Sequence, residues 1–209
     1  MADASNEGLA VAEGSEFVLD LNGHELEMTG PGAGSKGTET NGMQLLKDST
    51  IIIKNGTITF DDENLKMGIQ NYSNLTLDNV QLSGGSTINY VLSNNYGNTV
   101  LKNGTTITAS DGKVAFDAWY GLNKQGIYDE PGVFVTIADT TVVINGKVEF
   151  GKQNRASDEN FAAHAAITCP EEMNLDVTIL NPPCEWTVNA QDSTKTLHFV
   201  LQQEEETEE

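Results

Sequence analysis

Arginine is almost missing from this sequence. Arg155 stands alone, and with the lysines it makes 11 basic side chains against 31 acidic ones, a formal net charge of −20. A surface of that sign repels phosphate backbones and anionic lipid, which argues against nucleic acid and membrane as partners. It also keeps a chain soluble at high local concentration. Long apolar runs are missing too: no stretch reaches the roughly 18–20 residues of a membrane span. Met1-Ala-Asp-Ala-Ser-Asn-Glu-Gly lacks the basic start and apolar run of a signal peptide, so the expectation is either a removed leader or a protein used without export. Cys169 and Cys184 are too few for a disulfide framework. A bridge between them is permitted, and two buried free thiols are expected if the chain folds in cytoplasm. Against these absences, 20 glycines favour a turn-rich β protein.

What is present is a repeat. Thr50-Ile-Ile-Ile-Lys-Asn55-Gly, Asn74-Leu-Thr-Leu-Asp-Asn79-Val and Asn98-Thr-Val-Leu-Lys-Asn103-Gly align without a gap at a period of 24 residues. A fixed period in the twenties marks a solenoid, in which stacked coils bury what one coil cannot. Alternation within each strand points the columns Ile51/Leu75/Thr99 and Ile53/Leu77/Leu101 inward. Asn55, Asn79 and Asn103 continue that inward parity where each strand gives out. Buried amides need partners, and stacking one on the next supplies them, so these three are expected to form a structural asparagine ladder. The glycosylation-like triplets at Asn55, Asn71, Asn74 and Asn103 are discounted on the same grounds. Met43 to Met67 and Leu45 to Ile69 repeat at 24 and supply a second strand to each coil.

Elsewhere the period loosens. A Gly/Pro-rich loop follows Met28, an insertion of about nine residues in one coil, and insertions in solenoids emerge on one face. Trp119, Tyr120 and Tyr128 are read onto a loop of an enlarged coil. Ser157 is placed to cap a short helix. The last third reads as strands broken by proline, closing the stack and covering its edge.

Inward Ile/Leu columns, an asparagine ladder and phrases such as Leu19-Asp-Leu-Asn-Gly-His-Glu-Leu and Ile52-Ile-Lys-Asn-Gly-Thr-Ile resemble the right-handed parallel β-helix proteins of the pectin-lyase-like superfamily. The resemblance covers about residues 17–150 and implies an all-β, right-handed, single-stranded parallel β-helix. Around it stand a flexible or docking arm over 1–16, a capping region over 151–202 and an acidic tail over 203–209. In the first coil Leu19 and Leu21 sit one residue out of register against Asn22, so a bulge or a different corner is expected there.

The fold serves many functions, and activity has to be argued from residues. The enzymes of that superfamily that hydrolyse polygalacturonate carry a set of Asp, Gly-His-Gly and Arg-Ile-Lys motifs, of which only Asp61-Asp62 is present. The lyases need an arginine base, and Arg155 lies outside the repeat. His24, His164 and His198 form no constellation and read as structural or surface residues. Asp61, Asp62, Glu63 and Asn64 lack calcium-loop spacing and read as a solvated turn, so no metal site and no cofactor is expected. A two-carboxylate glycosidase remains open to 31 acids. The preferred expectation is a non-enzymatic structural or binding protein: a bacteriophage virion surface component, head-decoration or fibre, partnered by capsid or other virion proteins. It would be a homo-oligomer, with a trimer as one candidate state. The alternative is a secreted or cell-surface glycan-binding or glycan-cleaving β-helix whose ligand lies near Trp119, Tyr120 and Tyr128.

Overall fold

The computed structural model describes residues 3–34, 39–121 and 132–201. Its strands are β1 (Ala4–Asn6), β2 (Leu9–Val11), β3 (Glu16–Asp20), β4 (Glu25–Met28), β5 (Asn41–Leu45), β6 (Thr50–Phe60), β7 (Met67–Asn71), β8 (Asn74–Gly84), β9 (Tyr90–Asn94), β10 (Gly97–Lys102), β11 (Thr106–Thr108), β12 (Val114–Tyr120), β13 (Val133–Ile137), β14 (Val143–Asn145), β15 (Lys147–Lys152), β16 (Ala165–Pro170), β17 (Val177–Ile179), β18 (Cys184–Asn189) and β19 (Thr194–Phe199). One helix, α1 (Asp158–His164), is capped by Ser157, whose side chain accepts from the Asn160 N–H. Asp158 and Glu159 in its first turn favour the helix dipole.

From β5 to β17 the chain passes between two sheets of parallel strands, a 12-stranded and a 7-stranded one. In the larger sheet β6 pairs β8 with Ile51 opposite Leu75, and β8 pairs β10 with Leu75 opposite Thr99. Ile51, Ile53, Leu75, Leu77 and Leu101 are buried as the alternation requires. Each fully buried side chain of this size contributes about 1.5–3 kcal/mol, so these columns are a principal source of stability.

The inward, buried placement expected of the asparagine ladder is corrected. Asn55, Asn79 and Asn103 adopt φ of 59°, 55° and 55°, the left-handed region, which asparagine tolerates better than most residues. That one residue turns the strand, and inward parity switches from Ile51 and Ile53 to Ile58 and Phe60, and from Leu75 and Leu77 to Val80 and Leu82. The amides therefore lie at the surface, Asn79 and Asn103 being exposed. Asn79 donates to Asn55 Oδ1 at 3.4 Å, Asn55 to Asp20 Oδ1 at 3.2 Å, and Asn103 to Asp78 Oδ1 at 2.7 Å. Between β3 and β4 the spacing differs: Asp20 pairs Lys54 and Glu25 pairs Thr57, so four residues stand opposite two. Leu21 of that longer corner presses on Gly56, where a Cβ would come within 2.4 Å of the Leu21 Cβ. Glycine thus follows asparagine there, and valine suffices after Asn79.

The second sheet departs from the 24-residue spacing. Met43 pairs Ile69 and Ile69 pairs Leu92, offsets of 26 and 23, so Met43 does not stack on Met67. Turn lengths absorb the difference: the step from Leu45 to Thr50 is two residues longer than that from Asn71 to Asn74, and the step from Phe60 to Met67 one residue longer than that from Gly84 to Tyr90. In the acidic turn after Phe60 the Asp62 carboxylate accepts the Asn64 N–H at 2.8 Å. These strands also break alternation, with Gly42–Met43, Gly68–Ile69, Val91–Leu92 and Ala115–Phe116 buried in succession. In β12 the register shifts between Val114 and Phe116, the signature of a β-bulge.

Parallel pairing extends beyond 17–150 at both ends. β1 pairs β4 and β2 pairs β5, so residues 4–11 are strands where the sequence suggests a loose arm. β16 and β17 continue the two sheets, and β19 and β18 then turn antiparallel against β16. Phe150, Phe161 and Phe199 pack at this end, with ring centroids 4.9 and 5.3 Å apart. Cys169 and Cys184 are free thiols, both raised above the usual range by burial. The acidic tail lies outside the described residues.

Candidate functional site

The most distinctive chemistry lies on the outward side of the smaller sheet and at the corner beneath it. Gln44, Gln70, Ser93, Asp117 and Glu149 stand in register across β5, β7, β9, β12 and β15. The two successive buried residues in each of these strands bring Asn41 and Tyr90 to the same side, because they reverse the parity of the residues before them. Asn41 Nδ2 and Gln44 Nε2 donate to Gln70 Oε1 at 2.8 and 2.9 Å, and Gln70 Nε2 donates to the Tyr72 hydroxyl at 3.0 Å. Tyr90 donates to Glu149 Oε2 at 3.3 Å. Its strand and that of Glu149 flank β12, so this bond crosses over the strand that carries Asp117.

Asp117 is the centre of the arrangement. Its Oδ1 accepts the Asn94 N–H at 2.8 Å and its Oδ2 accepts the Ser93 hydroxyl at 3.1 Å. Burial raises its pKa to about 7, against the opposing pull of these donors and with a further push from the Glu149 charge. Tyr72 and Tyr90 are raised as well, chiefly by burial, with the Asp117 charge contributing to both.

Inside the corner lies an amide stack that the sequence reading missed. Asn71 and Asn94 are fully buried and adjacent in the pairing of β7 with β9. Asn71 Nδ2 donates to Asn94 Oδ1 at 3.2 Å and to Thr99 Oγ1 at 2.9 Å. Asn71 Oδ1 accepts the Ser73 N–H and hydroxyl at 2.9 and 2.7 Å. Asn94 Nδ2 donates to the Asp117 carbonyl at 2.8 Å, and its Oδ1 accepts from Thr99 at 2.7 Å. The trace in the sequence is parity: Asn71 and Asn94 each stand two residues after an inward Ile69 or Leu92.

The predicted ligand residues are separated. Trp119 and Tyr120 close β12 instead of lying on a loop. Trp119 is half-buried on the outward side, its ring across Gly151, where a Cβ would meet it at 3.1 Å. Tyr120 points into the core and stacks on Phe161 with centroids 6.1 Å apart, so its ring offers no surface platform. Alternation puts neighbours on opposite faces, and one of the pair had to go inside. Tyr128 lies outside the described residues. His24 faces Asp3 at 3.4 Å, His164 Nδ1 meets the Asn160 carbonyl at 3.0 Å on α1, and His198 sits on β19. Among the described residues no three His, Cys, Asp or Glu side chains converge as a metal site would need.

Comparison with protein-family models, with curated proteins and with solved structures found no match.

Proposed function

We propose that the two sheets are flanks of a right-handed parallel β-helix and that the chain works without catalysis, as a structural and binding element of a particle surface. A phage virion, with the chain as a head-decoration or fibre component held as a homo-oligomer, is the setting that best suits an acidic stack of this size. The observation that carries the non-catalytic reading is the state of Asp117. It is the carboxyl with the strongest upward pull among the described residues, and perturbed carboxyls mark candidate proton donors. Yet both of its oxygens are bound to fixed donors on the neighbouring strand, and the Tyr90–Glu149 bond passes over it. A proton-transfer group must reach a substrate within hydrogen-bond distance, and this one is turned into the scaffold.

The same face supports a glycan partner as a second reading. Tyr72 just past the end of β7, Tyr90 on β9 and Trp119 on β12 are half-buried along that sheet, with Gln70 and the half-buried Asn95 near them in the chain. Aromatic rings between amides suit sugar rings and their hydroxyls.

Light scattering with and without a calcium chelator tests the first reading. A stable oligomer, a trimer above all, with unchanged mass supports it; a monomer whose state depends on calcium overturns it. Trp119→Ala separates the two uses of the sheet face: loss of oligomer with unchanged sugar affinity removes the glycan reading.

A further inference from the structure

The two ends of the stack are finished differently. At the C-terminal end β18 and β19 turn antiparallel over β16, with α1 alongside. At the N-terminal end, among the described residues, β2 pairs only β5, and β3 pairs only β6. The columns are visibly incomplete there. Phe17, Leu19, Leu26 and Leu9 are only partly buried, while the residues they pair with, Ile51, Ile53, Ile58 and Met43, are fully buried.

The backbone of β3 is equally open. Thr50 donates to the Ser15 carbonyl and Leu21 donates to the Lys54 carbonyl. Residues 15, 17, 19 and 21 therefore point their backbone groups at β6, and those of Glu16, Val18 and Asp20 point away from it. Val18 is 59% exposed. Unpaired groups in a row on an edge strand are a template for another strand.

Charge says which strand. Residues 3–34 carry seven acids and no lysine or arginine, and Glu16 and Asp20 lie at the two ends of the open edge. Among the described residues only Lys54, 3.2 Å from Asp20, answers them there. A second copy of this chain would bring the same charges to the edge and be repelled.

We propose that the N-terminal edge takes a parallel β-strand from a basic protein partner, of pattern basic–apolar–any–apolar–basic. Its apolar residues continue the Phe17 and Leu19 columns, and its Lys or Arg residues lie beside Glu16 and Asp20. The inference rests on the reading of the chain as part of a larger assembly and names the chemistry of what holds it.

The test is fluorescence anisotropy of the intact protein with a capped peptide containing Lys-Val-Thr-Val-Lys. Three controls are a Glu-Val-Thr-Val-Glu peptide, a Lys peptide N-methylated at alternate residues, and the protein variant Glu16→Lys. Saturable binding of the Lys peptide is expected. N-methylation keeps its charge and removes two or more backbone hydrogen bonds, for an expected loss of about tenfold or more. The Glu peptide should not bind, and Glu16→Lys should weaken the Lys peptide. Equal binding of the methylated and unmethylated peptides reduces the effect to charge attraction and overturns the proposal, as does no binding at all. A dimer that Val18→Pro dissolves, without peptide binding, gives the edge to a second copy and also overturns it. An oligomer that binds no peptide leaves the assembly reading standing and removes only this inference.

Discussion

Two columns of asparagine run along this molecule, and they do opposite jobs. Asn55, Asn79 and Asn103 stand outside, in the left-handed conformation, where the useful property is a backbone that accepts positive φ. Asn71 and Asn94 stand inside, where the useful property is an amide that donates and accepts at once. The outer column shapes the corner, and its side chains reach partners through or beside solvent. The inner column satisfies the buried groups that its own corner creates. Residue type and repetition are shared, so neither separates the two; the deciding variable is the backbone conformation of the asparagine itself.

The inner column should be the costlier to break. Asn94→Leu leaves the Asn71 amide, the Thr99 hydroxyl and the Asp117 carbonyl short of a partner in a dry site. Each stranded group costs about 1–3 kcal/mol, partly offset by the added apolar side chain, so a loss of about 3–5 kcal/mol is expected in urea denaturation. A loss no larger than that of a surface substitution would mean that the stack is not what holds this corner.

Asp117 gives the inner column a pH signature. Its folded pKa is about 7 against a reference value of 3.8. Between those values the folded protein holds a proton that the unfolded chain releases, so stability falls as pH rises. The contribution is full below 3.8 and is lost through about 7. Stability should drop by roughly 2–4 kcal/mol from pH 4 to pH 8 on this account. Asp117→Asn keeps an acceptor for the Asn94 N–H and has no proton to lose, so its stability should be flatter with pH. The difference between the two proteins cancels what groups other than Asp117 contribute. A wild-type curve parallel to that of the variant would remove the assignment.

How much of this could be read in advance follows from the same comparison. The columns through Ile51 and Ile53 were legible because apolar alternation and the 24-residue period both act over adjacent residues. The parity switch at Asn55 did leave a mark, since Ile58 and Phe60, like Val80 and Leu82, are apolar at the opposite parity, but the aligned asparagines carried the earlier parity on past it. The offsets of 26 and 23 in the second sheet were hidden. Turn length sets them, and it leaves the apolar composition of the strand unchanged. Asn71 and Asn94 did leave a mark in their parity, which the more conspicuous Asn-Gly repeats overshadowed. β1 and β2 carry three residues each and too little alternation to announce a strand. Trp119 and Tyr120 were read together because they are adjacent, and adjacency in a strand sends them to opposite sides.

The outer column yields a smaller and more discriminating effect. Asn79→Ala keeps φ near 55° with a residue that dislikes it, at about 1 kcal/mol, whereas Asn79→Gly should cost little or nothing. A ladder held by its amides would suffer equally from both changes, because both delete the hydrogen bond to Asn55. Thermal melts of the pair therefore decide between backbone and side chain at this corner. Glycine as damaging as alanine would restore the ladder reading.

The smallest effect belongs to the ion pairs beside that column. Lys102 lies 3.3 Å from Asp78, and both side chains remain well exposed to water. Solvent screens such a pair, and holding two flexible chains together opposes it. The Asp78 carboxyl is held below its usual range chiefly by the Asn103 amide; burial opposes it next in size, and Lys102 follows. Lys102→Ala should accordingly leave the melting temperature within replicate scatter in moderate salt. If it destabilises as much as Asn79→Ala, the charges and not the left-handed asparagines are what define the outer corner.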